Sequence, residues 1–259
     1  MDWLYTLAGL AVGLAVGLTG VGGGSLMAPI LILVFGMAPT AAVGTDLWFA
    51  AITKTAGGFV HHKHGGPDWQ IVRRLALGSL PAAGLTVWWL SSADFHQIKG
   101  GTIMHVLGVV LILTAIATLF KARIHAFATG ARTAAMAAHP WQPAATVAAG
   151  AILGFLVTLT SVGSGALGAA MLLFLYPFRL SAKRLVGTDI VHAVPLTFVA
   201  GLGHLWIGTV DLSKLSGLLL GSIPGVIVGA LLTHRMSDGA VRPVLAAILC
   251  FAGYRLLIA

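Results

Sequence analysis

The chain has 259 residues, of which 58% are hydrophobic and only 8% are charged. Because soluble domains carry roughly 25% charged residues, this composition excludes an ordinary soluble fold and indicates an integral membrane protein. The net charge of +8 arises largely in short loops beside apolar segments, so we interpret it as a signal of membrane topology and lipid contact, not as a nucleic-acid surface.

Ten apolar segments follow one another along the chain, and most are long enough to cross a hydrocarbon core of about 30 Å as helix. The segments predicted in the first half are Trp3 to Thr19, Leu26 to Met37, Ala41 to Val60, Ile71 to Leu90 and Thr102 to Phe120. Those predicted in the second half are Trp141 to Leu159, Ala166 to Phe178, Leu185 to Leu202, Leu215 to Thr233 and Val241 to Leu257. The sequence therefore predicts an all-α membrane protein with about eight to ten transmembrane helices. The short segments at 26–37 and 166–178 either span the membrane or re-enter it.

The two halves repeat the same plan. Leu18 to Leu26 (the first glycine break) matches Leu159 to Leu167 (the second glycine break), since Thr19 and Thr160 are 141 positions apart. The predicted domains are a first membrane repeat at 1–120, a cytoplasmic linker at 121–140 and a second membrane repeat at 141–259. A repeat this regular indicates duplication.

The number of segments in each half is odd, so two copies of one fold must enter the membrane from opposite sides. Short loops rich in Lys and Arg stay in the cytoplasm. This rule places His61 to Arg74, Lys121 to Arg132 and Arg179 to Arg184 together on the cytoplasmic side. We therefore predict inverted-topology repeats with both termini outside.

Inverted repeats with interrupted helices are typical of secondary transporters, whose substrate lies near the midplane. A helix that restarts after a glycine break presents unpaired N–H groups and a positive dipole end, which suits a small anion. The alternative is that these glycines only permit close helix crossing. The candidate substrate-binding residues are Gly22, Gly23, Gly24, Ser25, Thr45, Lys54, Ser161, Gly163, Ser164, Gly165 and Thr188.

Ionisable residues inside apolar segments are costly and are therefore functional candidates. Asp46 and Asp189 are such residues, and they are predicted to couple transport to an ion, unless each one only caps a helix near its end. His192 lies one turn beyond Asp189, and a hydrogen bond between the two would give a pair able to carry a proton. A buried structural histidine is the alternative.

The cluster from His61 to His64 permits a second hypothesis, a carrier of divalent metal ions. Its basic neighbours favour a cytoplasmic loop instead, and no metal ligand set is assigned. The chain has no nucleotide-binding loop and no nucleophile with a base at useful spacing, so neither ATP-driven transport nor an enzyme is expected, and no cofactor is predicted.

Several motifs together resemble the TauE/SafE sulfite exporter family, also called the four-TMS sulfonate uptake permeases. They are the Gly20 to Gly24 break, the Gly44-Thr45 pair, the run from His64 to Trp69, and the pair Gly78 and Gly84. The resemblance implies a secondary transporter of sulfite, thiosulfate, sulfoacetate or other organosulfonates in the cytoplasmic membrane of a prokaryote. We expect alternating access, a proton-motive drive and export more than import, with the anion and membrane lipid as partners and a homo-oligomer left open.

Overall fold

The structure is a computed structural model that describes residues 3–19, 25–61, 66–92, 100–130, 140–232 and 238–258. These ranges form ten helices and contain no strand. The helices of the first half are α1 (Trp3–Thr19), α2 (Met27–Leu33), α3 (Pro39–His61), α4 (Trp69–Ser92) and α5 (Gly100–Gly130). Those of the second half are α6 (Gln142–Thr160), α7 (Ala166–Leu175), α8 (Ala182–Ile207), α9 (Leu212–Leu232) and α10 (Asp238–Leu257).

The predicted segments correspond one to one with these helices, and α2, α5 and α8 differ most clearly in length. Helix α8 extends beyond both ends of its predicted segment, Leu185 to Leu202. Helix α5 continues to Gly130, so the first ten residues of the predicted linker are helical; residues 131–139 lie outside the described residues, and the domain boundaries stay a prediction. Helix α2 ends at Leu33, four residues early, and Gly36 follows with a positive φ of 63°.

Four of the described helices, α5, α6, α8 and α9, are long and apolar enough to cross a membrane. At 1.5 Å per residue, the 7 residues of α2 cover about 10 Å and the 10 residues of α7 about 15 Å. Neither short helix can cross a hydrocarbon core of about 30 Å alone. Each is therefore a half-helix that follows a glycine break.

The two halves exchange their first helices. Helix α1 packs on α9, and the contact is so close that a Cβ on Gly9 would overlap the backbone of Leu218. Further along, Gly17 lies in the same way against Val226. The contacting residues of α1 and α9 increase in number in the same direction, so the two helices run parallel. Small residues allow this approach of two backbones in a membrane.

The same arrangement is repeated in the other direction, where α6 of the second half packs on α4 of the first. Gly150 lies against the backbone of Leu75, and Gly154 lies against that of Ser79. These helices are also parallel. The glycines of α6 correspond to Gly9 and Gly13 of α1 at the offset of 141.

The third helices of the two halves, α3 and α8, cross antiparallel at the centre. Trp48 Nε1 donates to the Gly201 carbonyl over 2.9 Å, whereas the later residue Gly58 faces the earlier residue Ile190. Equivalent helices that cross antiparallel, together with parallel exchanged pairs, are what a two-fold axis in the membrane plane requires. The prediction of inverted repeats is confirmed.

Basic loops converge at one end of the molecule. Arg74 at the start of α4 donates to the hydroxyl of Tyr176 over 3.2 Å, and Gln142 at the start of α6 donates to the Leu175 carbonyl over 2.9 Å. We call this end, formed by the starts of α4, α6 and α8 and by the turn between α7 and α8, the basic face. The other end, where α9 begins, is the opposite face.

Candidate functional site

Three charged side chains are buried in the middle of the central helices. Asp46 and Lys54 lie on α3, and Asp189 lies on α8. Their exposed fractions are 0%, 9% and 2%. Both aspartates lie more than a turn inside their helices, so neither caps the helix that carries it, which corrects the capping alternative. Buried charges at this depth are costly and indicate function.

Lys54 connects the first half with the second glycine break. Its Nζ donates to the Ser164 hydroxyl over 2.8 Å and to the Ser164 carbonyl over 3.2 Å. From the Gly-Thr-Asp motifs onward the two halves are offset by 143 residues, as Asp46 and Asp189 are, so the position equivalent to Lys54 is Thr197. Thr197 is buried and donates to the Ala193 carbonyl. The cation is therefore present in only one half of the pair.

Asp46 lies between the start of α2 and the second break. Its Oδ2 accepts a hydrogen bond from the Ala28 N–H over 3.1 Å, where the positive end of the α2 dipole favours a carboxylate. Its Oδ1 is buried without a hydrogen-bond partner, and so is the hydroxyl of Ser161. The Ser161 hydroxyl lies near Asp46, but the two groups do not have the geometry of a hydrogen bond.

Asp189 has the equivalent position in the second half, against the first turn of α7. Its Oδ1 would be 2.9 Å from a Cβ at Gly168, so the missing side chain of that glycine makes room for the carboxylate. Its Oδ2 is buried and has no hydrogen-bond partner. Lys54 lies within electrostatic range of Asp189, as does the half-buried Lys121 of α5.

The second glycine break reverses the chain between α6 and α7 through unusual backbone angles. Ser161 has φ 58° and Gly163 has φ 124°, a conformation that glycine adopts without strain. The Thr160 hydroxyl accepts from the Val162 N–H over 3.1 Å and so fixes the turn. Helix α7 then begins at Ala166.

The backbone N–H groups from Gly163 to Leu167 are hydrogen-bond donors that the turn leaves unpaired. None of these five donates to an acceptor among the described residues, and the first N–H groups of α7 that do are those of Gly168 and Ala169. Most of the turn is buried. Buried unpaired N–H groups at a helix start, beside a lysine and an unpaired serine hydroxyl, form a site suited to a small anion.

Five of the eleven predicted substrate-binding residues come together here, namely Lys54 and four residues of the turn. Ser161, Gly163, Ser164 and Gly165 form the turn, and Ser25 is buried just before α2. Gly22, Gly23 and Gly24 lie outside the described residues, so their predicted role is untested. The predicted contacts of all these residues with an anion stay a prediction.

Thr45 and Thr188 have a different observed role. The Thr188 hydroxyl accepts from the Asp68 N–H at the start of α4, and the Thr45 hydroxyl accepts from the Asp211 N–H just before α9. Both distances are 3.0 Å. These bonds tie the halves together at the two faces, so contact of either threonine with an anion stays a prediction.

His192 does not form the predicted bond with Asp189. Its Nε2 lies 2.8 Å from the Ser79 hydroxyl on α4, because the ring packs toward that neighbouring helix and not along α8. The histidine is buried and its hydrogen bond joins the halves. The alternative of a structural histidine describes this geometry, and a coupling role for His192 stays a prediction.

The histidine cluster behind the metal hypothesis falls mostly outside the described part of the chain. His62, Lys63 and His64 lie beyond the end of α3, outside the described residues, and His61 is described only by its backbone, as the last residue of that helix. Among the described residues, no group of three His, Cys, Asp or Glu side chains could hold a metal ion. The metal carrier therefore stays an untested alternative.

The sequence reasoning missed an ion pair that joins the halves at the basic face. Arg179, in the turn before α8, contacts Asp68 with Nε to Oδ2 at 2.7 Å and Nη2 to Oδ1 at 2.9 Å. Burial alone would raise the pKa of Asp68, but the hydrogen bonds from Arg179 and from the Ile71 N–H outweigh it and lower the pKa below 3.8. The sequence alone indicates only a topology signal in the basic residues from Arg179 to Arg184.

The chain is similar to a transporter family and to two probable membrane transporters over nearly its whole length. A family model described as "Sulfite exporter TauE/SafE" matches residues 5–256. The chain is 40% identical over 252 residues to the probable membrane transporter protein YjnA of Bacillus subtilis (strain 168), covering 97% of this chain and 98% of that protein. It is 26% identical over 259 residues to the probable membrane transporter protein YdhB of the same organism, covering 98% and 99%. No solved structure matches the chain.

Proposed function

Because the chain belongs to the sulfite exporter TauE/SafE family of membrane transporters, we propose that it is a secondary transporter of small sulfur-containing anions. Sulfite, thiosulfate, sulfoacetate and other organosulfonates are the proposed substrates. The proposed location is the cytoplasmic membrane of a prokaryote. The family description favours export.

The observation that carries this proposal is the group of unpaired donors at the second glycine break. Five successive N–H groups have no acceptor among the described residues, and the Lys54 ammonium lies beside them on Ser164. An oxyanion can accept several of these hydrogen bonds at once, and the lysine offsets its charge. The unpaired Ser161 hydroxyl adds a further donor.

Proton coupling is supported by the two central carboxylates. Asp46 and Asp189 each keep one buried oxygen without a hydrogen-bond partner. A buried carboxylate oxygen that lacks a donor is stabilised by taking up a proton. When an anion binds to Lys54, the lysine no longer offsets these carboxylates fully, so anion binding and proton uptake favour each other. This linkage is the basis of a proposed symport of anion and proton, in which an outward gradient of the anion drives export and an inward proton gradient would drive uptake.

Alternating access is supported by the inverted halves. A two-fold axis in the membrane plane makes the inward-facing and outward-facing arrangements related by symmetry. The central helices α3 and α8 carry the charged groups, while the exchanged pairs α1 with α9 and α4 with α6 pack backbone to backbone. We propose that the tightly packed pairs are the rigid parts, and that the half-helices α2 and α7 move relative to them.

The test is the thermal unfolding of purified protein in detergent with sulfite, thiosulfate, sulfoacetate, taurine or chloride. We expect at least one sulfur oxyanion to raise the unfolding temperature, since a ligand that binds the folded state stabilises it. Lys54→Met should remove this shift. Thr197→Val, at the symmetry-related position, is the matched control and should keep it.

Two outcomes would contradict the proposal. The substrate class is wrong if no sulfur oxyanion shifts the unfolding temperature of the wild-type protein. The site is wrong if Lys54→Met keeps the full shift. Zn²⁺ in the same panel tests the metal alternative. A rise in the unfolding temperature with Zn²⁺ but with none of the oxyanions would support that alternative.

A further inference from the structure

The ion pair at the basic face places a carboxylate where an anion could bind. Arg179 contacts both oxygens of Asp68 through Nε and Nη2, and its Nη2 also donates to Gln70 Oε1 over 2.7 Å. A guanidinium that binds two oxygens in this way also fits two oxygens of a sulfonate or sulfite.

The repeated architecture does not need this ion pair. At both faces, a threonine hydroxyl accepts from the N–H of an aspartate at the start of the fourth helix of the other half. At the opposite face, however, Asp211 pairs within its own half, with Lys214 Nζ at 2.9 Å. The segment equivalent to Arg179, residues 36–38, is uncharged. The arginine is therefore an addition at one face only.

The surroundings of Arg179 would attract an anion from water. The side chain of Arg179 is 41% exposed, whereas Asp68 is 6% exposed. Arg74 reaches the hydroxyl of Tyr176, and the guanidinium of Arg179 lies 5.8 Å from the centre of the same ring. Arg184 is also within electrostatic range of Asp68. Several positive charges thus surround one carboxylate.

The ion pair is connected directly to the central site. Asp68 donates its N–H to Thr188, and the next residue of α8 is Asp189. An event that displaces Asp68 from Arg179 therefore acts on the helix turn that carries a proposed proton site.

We propose that Arg179 is a second anion-binding site, at which the Asp68 carboxylate takes the place of the substrate in this conformation. This inference rests on the proposed function, so the ligand of the site is a sulfur oxyanion that arrives at or leaves from the basic face. The anion replaces the Asp68 carboxylate at the guanidinium and so removes one of the contacts that hold the start of α4 to the turn before α8. Asp68 thus occupies the guanidinium until an anion is present.

The test is the binding of sulfite, followed by calorimetry, in protein whose central site is disabled by Lys54→Met. Adding Asp68→Asn frees Arg179, while the asparagine Oδ1 can still accept from the N–H groups of Gln70 and Ile71. We expect sulfite affinity to rise about fivefold, the upper range for an exposed ion pair. Further addition of Arg179→Gln should remove the gain, and Asp211→Asn is the matched control that should give none.

A second measurement does not depend on the folding of the Asp68 variant. Arg179→Lys keeps the charge but loses the two-pronged geometry, so it should raise the KM for sulfite applied at the basic face and leave the KM at the opposite face unchanged. Equal changes at both faces would overturn the proposal. So would the absence of any gain with Asp68→Asn while the wild-type protein binds sulfite, a result that leaves the proposed function intact. If the wild-type protein binds no sulfur oxyanion, the proposed function fails instead.

Discussion

At the scale of single residues, the central carboxylates of Asp46 and Asp189 differ from those of Asp68 and Asp211 in having a buried oxygen with no partner. One oxygen of Asp46 accepts a hydrogen bond from the Ala28 N–H. One oxygen of Asp189 occupies the space that a side chain at Gly168 would fill. Asp68 and Asp211 cap helices and pair with cations near the two faces. This difference supports the proposed coupling role of the central pair, whereas the outer pair contacts cations at the two faces.

The coupling role predicts the behaviour of Asp46→Asn and Asp189→Asn. Asparagine keeps the shape and an acceptor oxygen but cannot release a proton. One pH unit drives about tenfold accumulation for each coupled proton, so we expect this accumulation of labelled sulfite in proteoliposomes to disappear. Exchange of sulfite for sulfite without a gradient should persist. Asp211→Asn is the control and should accumulate normally; normal accumulation by both central variants would exclude the coupling role.

The lowered pKa of Asp211 predicts that the stability of the folded protein depends on pH. Burial alone would raise its pKa, but hydrogen bonds from Lys214 and Ser213 lower the pKa from 3.8 to about 2. Because the folded-state pKa is the lower one, the stabilisation is complete above 3.8 and is lost as the pH falls toward 2. We expect wild type to unfold at a higher temperature than Asp211→Asn at about pH 5, and this difference to shrink as the pH approaches about 2.5. A difference that does not change with pH would contradict this assignment.

At the scale of helices, glycines decide which faces can meet. On α4, a Cβ at Gly78 would overlap the backbone of Val147 on α6, whereas a Cβ at Gly84 would meet nothing within 4 Å. Both glycines belong to the family resemblance, yet only the first is needed for packing. The contact lets α4 of one half join α6 of the other.

This contrast predicts opposite effects for the same substitution in one helix. Gly78→Ala should destabilise the protein by about 1–3 kcal/mol or more, because two backbones must separate. Gly84→Ala should be neutral or stabilise by up to about 1 kcal/mol, since alanine favours helix more than glycine does. Thermal unfolding in the same detergent measures both. If Gly84→Ala lost as much stability as Gly78→Ala, helix propensity and the room for a Cβ would not explain the effects of these substitutions.

Hydrophobic periods and loop charges were sufficient to predict all ten described helices and their inversion. The end of α5 was missed because residues 121–130 are polar enough to resemble a loop, although their alanines favour helix. Contacts between residues far apart in the sequence were harder to predict. The bond of His192 to Ser79 joins residues 113 positions apart, and no local spacing indicates it. The ion pair of Asp68 with Arg179 was missed for the same reason.

At the scale of the whole molecule, orientation follows from the basic face. Contacts bring the starts of α4 and α6 to the turn before α8, so Arg74, Arg179 and Arg184 lie at one end of the molecule. The positive-inside rule then predicts that this end faces the cytoplasm and that the start of α9 faces the exterior.

This orientation predicts which cysteines a membrane-impermeant maleimide labels in intact cells. Cys250 is first replaced by serine, since it is the one cysteine of the chain. Ser213→Cys, exposed at the opposite face, should react from outside, whereas Lys183→Cys, exposed at the basic face, should react only after the membrane is opened. Each variant is the control for the accessibility of the other. The reverse pattern would invert the assignment and would place Arg179 outside, where its proposed site would meet anions arriving from the exterior.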